Sequence, residues 1–212
     1  KLCRKHQILF MYDEVQCGIG RLGELCGWRA ILNEPEVEPD AISWAKGFGG
    51  GLPVGAVWIK ERPVSAEKQD RMLCDIMGPG SHGTTFGGNP LVSAVSLAVL
   101  EEIKRHNLPA NATEIGNFMM DEIRSWDSPM VKAVRGMGLM IGIVLNTEDP
   151  ARLEGYDPET MRASVWAVKK LMDAGLLTVP AREDVVRLLP PLNITKDEAS
   201  EALSILKSLL SP

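Results

Sequence analysis

The chain has 212 residues, 45% of them hydrophobic and 24% charged, with a formal net charge of −5 at neutral pH. That much apolar material supports a real core and argues against disorder. The mild acidic balance, without a long basic run, offers nucleic acid no electrostatic footprint. No apolar stretch approaches the ~20 residues needed to span a bilayer, and the run after Lys1–His6 is too short for a signal peptide.

The first residues read as the end of a helix, and Gln7–Asp13 follows as a short apolar run ending in an acid. Such a run predicts a strand covered on both faces of a parallel sheet, with a functional group at its carboxyl end. The missing initiator methionine and this abrupt entry predict a piece of a longer protein, whose unfinished sheet would carry an open edge. Cys3, Cys17, Cys26 and Cys74 fit no tight metal-ligand spacing, which predicts reduced, partly buried thiols in a cytoplasmic protein and no metal site.

Ala41–Ala45 and Val54–Ile59 predict two more strands, separated from their neighbours by glycine-rich loops over 18–27 and 47–55. Residues 78–90 are too rich in glycine for regular structure. Asn89 then Pro90 predicts a helix start, an N-cap followed by proline at the first helical position, and the helix runs past Ile103. A second helical pattern covers 113–126.

Residues 138–145 predict a strand, and Asp157-Pro158-Glu159 the start of a helix closed by Gly175. Residues 176–179 and 185–189 predict two short strands, and Thr195 with Glu198 a capping box before the last helix. The mixture predicts an α/β fold: part of a large α/β domain over 1–107, then a small α+β domain over 108–212. The tryptophans share no stripe and read as packing residues.

Several side chains could carry chemistry. Asp13 at a strand's carboxyl end sits where open α/β sheets bind ligands; a buried acid there needs a cationic partner, although an N-cap role or a pair with Arg21 is equally open. Gln16, three residues on, could donate to a ring oxygen. Lys46 follows a short strand and precedes Gly49-Gly50-Gly51, where partial desolvation would favour the neutral amine that attacks an aldehyde. An exposed loop lysine is the alternative. A phosphate-binding P-loop fails on order, because its lysine ends the glycine loop and this one precedes it. The Gly83–Gly88 loop, with Thr84 and Thr85, suits an anion or a capping turn, and His82 reads as a hydrogen-bonding loop residue. Arg187 inside an apolar strand must pair with something, a substrate carboxylate or a structural salt bridge.

Taken together, Asp13–Arg21, Ala45-Lys46-Gly47, Ser81–Pro90 and the Gly175–Pro180 segment leading to Arg187–Leu192 resemble, in family order, the class III (ornithine-type) pyridoxal-phosphate aminotransferases, and within them the acetylornithine branch. The resemblance implies the large and small domains of fold type I, a pyridoxal 5′-phosphate cofactor, and a homodimer acting on amino-acid and 2-oxo-acid substrates. It implies transfer of an amino group from N-acetylornithine to 2-oxoglutarate in arginine biosynthesis, with ornithine, succinylornithine or 4-aminobutyrate as alternative donors, or a fragment that binds no cofactor.

By residue, it implies that Asp13 pairs with the pyridinium nitrogen, so that the ring acts as an electron sink, and that Gln16 bonds the ring's phenolic oxygen. Lys46 would carry the cofactor as a Schiff base and shuttle the proton. Thr85 would reach the phosphate from the neighbouring subunit, Thr84 would lie beside the substrate, and Arg187 would hold its α-carboxylate. Two departures from the family pattern, Leu22 in place of a threonine and a long segment over 34–39, read as surface or supporting changes.

Overall fold

The computed structural model describes residues 2–32, 34, 37–65, 70–78 and 80–211. Of the long 34–39 segment, Glu34 and Val37–Pro39 are described, while Pro35 and Glu36 lie outside the described residues, as does Pro79 of the 78–90 loop. Contacts divide the chain into two units, Lys1–Gly20 with Glu24–His106, and Arg21–Gly23 with Asn107–Pro212.

In the first unit a one-turn helix α1 (Leu2–Lys5) precedes β1 (Met11–Asp13), and a short helix α2 (Gly27–Ile31) precedes β2 (Ala41–Trp44). β2 runs parallel to β1 with Asp13 opposite Ser43, and β3 (Ala56–Ile59) returns antiparallel to β2. β1 is shorter than expected because the chain reaches Phe10 from a left-handed Gln7, at φ 54°. The backbone of Phe10 is then spent on Asp40, whose carboxylate and N–H it meets at 2.8 and 2.6 Å. Nor is the strand covered on both faces: Ile8, Leu9 and Met11 are exposed, as are Val57 and Trp58 on β3. Trp58 is thus no packing residue within the described chain.

Helix α3 (Pro90–Arg105) begins as its sequence dictates, the Asn89 side chain accepting from Val92 N–H at 3.1 Å with Pro90 behind it. It packs on the glycine turn after β2. A Cβ on Gly50 would lie 2.8 Å from Val99 Cγ2, so glycine there both fits the left-handed φ of 56° and lets the helix approach.

The second unit is a four-stranded antiparallel sheet, β4 (Val131–Met137), β5 (Met140–Leu145), β7 (Val185–Leu188) and β6 (Val179–Ala181) in that spatial order. Three helices cover it: α4 (Leu108–Ser125), α5 (Ala163–Asp173) and α6 (Lys196–Leu210). β5 alternates as a half-buried strand should, with Ile141, Ile143 and Leu145 inward against Met119, Leu171 and Leu206 in one core.

The strand expected over 138–145 forms as β5, the second arm of a hairpin whose turn contains Gly138 at φ 53°. Two expectations are revised. Asp157-Pro158-Glu159 forms a single turn, with Asp157 accepting from Glu159 and Met161 N–H, and α5 starts only at Ala163. The strand expected over 176–179 starts at Val179. Gly175 does close α5, at φ 90°, with Leu176 N–H reaching back to Leu171 O at 2.8 Å, the pattern of a Schellman cap. The capping box at Thr195 and Glu198 forms as the sequence indicates.

Candidate active site

The parallel pairing of β1 and β2 brings two chain segments to one end of the first sheet. Asp13 closes β1, and Lys46 lies two residues beyond the end of β2. Asp13 is exposed rather than buried; its Oδ1 accepts from Val15 N–H at 3.0 Å, which fixes the carboxylate against the turn that follows. Gln16 sits inside that turn, closed by Gly18 N–H on Glu14 O at 3.0 Å. Lys46 opens a 3-10 turn over Lys46–Gly49 and is itself exposed, with no desolvating cover among the described residues. Its backbone, however, is left-handed at φ 50°. A lysine gains nothing from that conformation, and such outliers gather where function over-determines the backbone. A Cβ on Gly47 would meet nothing within 4 Å, so the residue after Lys46 also borders open space.

One member of this site escaped the sequence reading. Glu14 is 2% exposed, and its carboxylate accepts from Trp28 N–H at 2.7 Å and from Trp44 Nε1–H at 3.0 Å. Trp44 therefore does more than pack. The carboxylate's field is felt nearby: burial, then the charge of Glu14, pushes the Cys17 and Cys26 thiols up from their ordinary values. All four cysteines are free and partly buried.

The Thr84–Thr85 loop is exposed throughout, and Thr84 packs on Gly87, where a Cβ would lie 2.0 Å from Thr84 Cγ2. Ser81 Oγ and His82 Nδ1 are hydrogen-bonded at 2.9 Å. Among the described residues neither Thr84 nor Thr85 bonds another candidate side chain.

Arg187 belongs to the second unit. It lines a cleft of about 390 Å³ with Leu177, Thr178, Val179, Pro190 and Pro191, held on β7 between Gly142 and Val179. Thr178 Oγ1 is buried there with no hydrogen-bond partner among the described residues. An orphaned hydroxyl beside an arginine is what a bound carboxylate would satisfy. Arg21, also in this unit, donates to the carbonyls of Leu139 and Pro190, and Leu22 is buried rather than a surface change. Among the described residues no group of His, Cys, Asp and Glu could hold a metal ion, and no helix is long and apolar enough to cross a membrane.

A carboxylate, an amide and an exposed primary amine lie at one sheet end; the fold is that of the pyridoxal-phosphate aminotransferases. A sequence profile described as aminotransferase class-III matches residues 1–210, and the chain belongs to that family. An ornithine aminotransferase from an Exiguobacterium species is 41% identical over the whole chain, and one from Staphylococcus epidermidis 38%. The chain spans about half the length of these relatives, 46% in both.

Among solved structures, the Toxoplasma gondii ornithine aminotransferase, described with partial occupancy of PLP at its active site, superposes with a TM-score of 0.77 at 30% identity, covering 99% of this chain and 44% of its own. The acetylornithine aminotransferase of Elizabethkingia anophelis superposes equally, with a TM-score of 0.77 at 31% identity, covering 99% and 47%.

Proposed function

We propose that this chain supplies Asp13, Gln16, Lys46, Thr84, Thr85 and Arg187 to a pyridoxal-phosphate aminotransferase of the ornithine type. The observation that carries the reading is the shared sheet end: Asp13 and the left-handed, exposed Lys46 emerge side by side from parallel strands. When bound, the cofactor supplies an electron sink for the carbanion that deprotonation creates. Asp13, with Oδ1 tied to Val15 N–H, keeps its other oxygen for the protonated ring nitrogen. Gln16 orients the ring through its phenolic oxygen, and Thr85 holds the phosphate from across a homodimer. Lys46 Nζ would take the proton from the substrate carbon bearing the reacting amine and pass it to the cofactor carbon that had been the aldehyde. Arg187, with Thr178 beside it, holds a substrate carboxylate in the cleft.

The donor is an ω-amino acid of the ornithine class, passing its terminal amine to 2-oxoglutarate. N-acetylornithine is the donor the sequence motifs favour, in arginine biosynthesis in the cytoplasm; the ornithine aminotransferases among the relatives favour ornithine itself. The two share the reacting amine and differ in whether the α-nitrogen is charged or acylated. Steady-state rates with both donors decide between them. Lys46→Ala should lower kcat by at least ~10²-fold and Asp13→Asn should do so with the donor KM little changed; an active Lys46→Ala protein would sink the reading.

A further inference from the structure

Glu14 is the one fully buried carboxylate among the described residues, and no cation is paired with it there. Burying a charge is costly unless hydrogen bonds satisfy it, so what those bonds connect matters. Oε1 accepts from the backbone N–H of Trp28, in the first turn of α2, whose own N-cap residue Cys26 makes no side-chain cap. Oε2 accepts from Trp44 Nε1–H, on the last residue of β2 and two residues before Lys46. The main chain of Glu14 repeats the tie: its N–H donates to Ser43 O, and its carbonyl accepts from Gly18 N–H, closing the turn that contains Gln16, both at 3.0 Å. Gly18 seals the node, since a Cβ there would lie 2.8 Å from Oε2 and 2.9 Å from Trp44 Cδ1.

We propose that Glu14 is a positioning residue, whose buried carboxylate locks the Asp13–Gln16 turn to the strand end that carries Lys46. This rests on the reading of Asp13 and Lys46 given above. A carboxylate suits the place better than an amide of the same size. Two N–H groups point at it, and an amide meets one of them with a donor, leaving a buried N–H unsatisfied. Acting through Asp13 and Lys46, the lock governs how well the cofactor's ring nitrogen and aldehyde are met at once, and touches neither.

The test compares wild-type holoprotein with Glu14→Gln, Trp44→Phe and the double variant, by three readings. These are pyridoxal phosphate affinity of the apoprotein, the pH titration of the bound cofactor's visible absorbance, and kcat against KM, with the urea midpoint followed in parallel. We expect Glu14→Gln to weaken cofactor binding at least fivefold, displace the absorbance titration and lower kcat with the donor KM little changed. Trp44→Phe should move the titration in the same direction, and the double variant should be no worse than Glu14→Gln. Single variants that lower the urea midpoint but leave affinity and titration at wild-type values overturn the proposal, as do effects that simply add. Should Glu14→Gln not fold, Trp44→Phe alone decides by the same titration. If wild type shows no Lys46-dependent absorbance, the reading of the site fails first, and the two failures are told apart.

Discussion

Gly116→Ala sets two known effects against each other inside the second unit. Gly116 is buried in α4, where alanine gains ~1 kcal/mol over glycine through helix propensity. Its Cβ, however, would sit 2.0 Å from the Gly138 carbonyl oxygen and 2.4 Å from its carbonyl carbon. Close carbon–oxygen contacts in proteins stop near ~3.3 Å, so about 1.3 Å of movement is required between α4 and the β4–β5 turn. Neither partner is free to give. α4 is anchored by Ile115, Met119 and Ile123 in the core, and Leu139, next to the turn glycine, is fully buried with its N–H on Arg21 O. Overpacking typically costs ~1–3 kcal/mol, and a backbone obstacle places this case at the upper end. The net expectation is a loss of about 2 kcal/mol after the propensity gain is subtracted. Urea denaturation followed by circular dichroism measures it, with Asn117→Ala, exposed on the same helix, as the control that should gain ~0.5 kcal/mol. A Gly116→Ala protein as stable as wild type would refute the packing argument.

Two further outcomes follow from the same geometry. Burial pushes the Asp40 carboxyl up, but the hydrogen bonds from Arg62 and Phe10 N–H outweigh it and hold the group below its ordinary value. A depressed folded value stabilises above the unfolded one, so this contribution is present at neutral pH and fades as pH drops below ~3.9 toward the folded value. Urea midpoints measured through that window should fall less steeply for Asp40→Asn than for wild type; identical slopes would contradict the assignment. In the cleft of the second unit, Arg187→Ala should raise KM for carboxylate substrates by roughly ten- to a hundredfold, and Thr178→Val by about fivefold. A KM unmoved by both substitutions would remove that cleft from substrate binding.

What could be read from the sequence were features set by near neighbours. Asn89–Pro90 and the Thr195–Glu198 box are complete within a few residues, and both form as written. The α/β character and the family were legible because glycine loops and strand ends occur in a characteristic order. Features that depend on distant partners were not. Glu14 looks like an ordinary loop acid until Trp28 and Trp44, 14 and 30 residues away, close on it. β4 was hidden because its alternation is broken by Gly136 and by a register shift between Val131 and Ala133. The burial assumed for β1 failed because apolar composition implies a cover, but the cover must come from residues that pack there, and among the described ones Ile8, Leu9 and Met11 are left about half exposed.

The most direct test of the account is chemical. The holoprotein is reduced with borohydride, digested, and its peptides are mapped by mass spectrometry for a pyridoxyl adduct. The account predicts one adduct, on Lys46, with loss of the visible absorbance and of activity together. An adduct on another lysine, such as Lys60 at the opposite end of the same sheet, or no adduct in a protein that still transaminates, would contradict it.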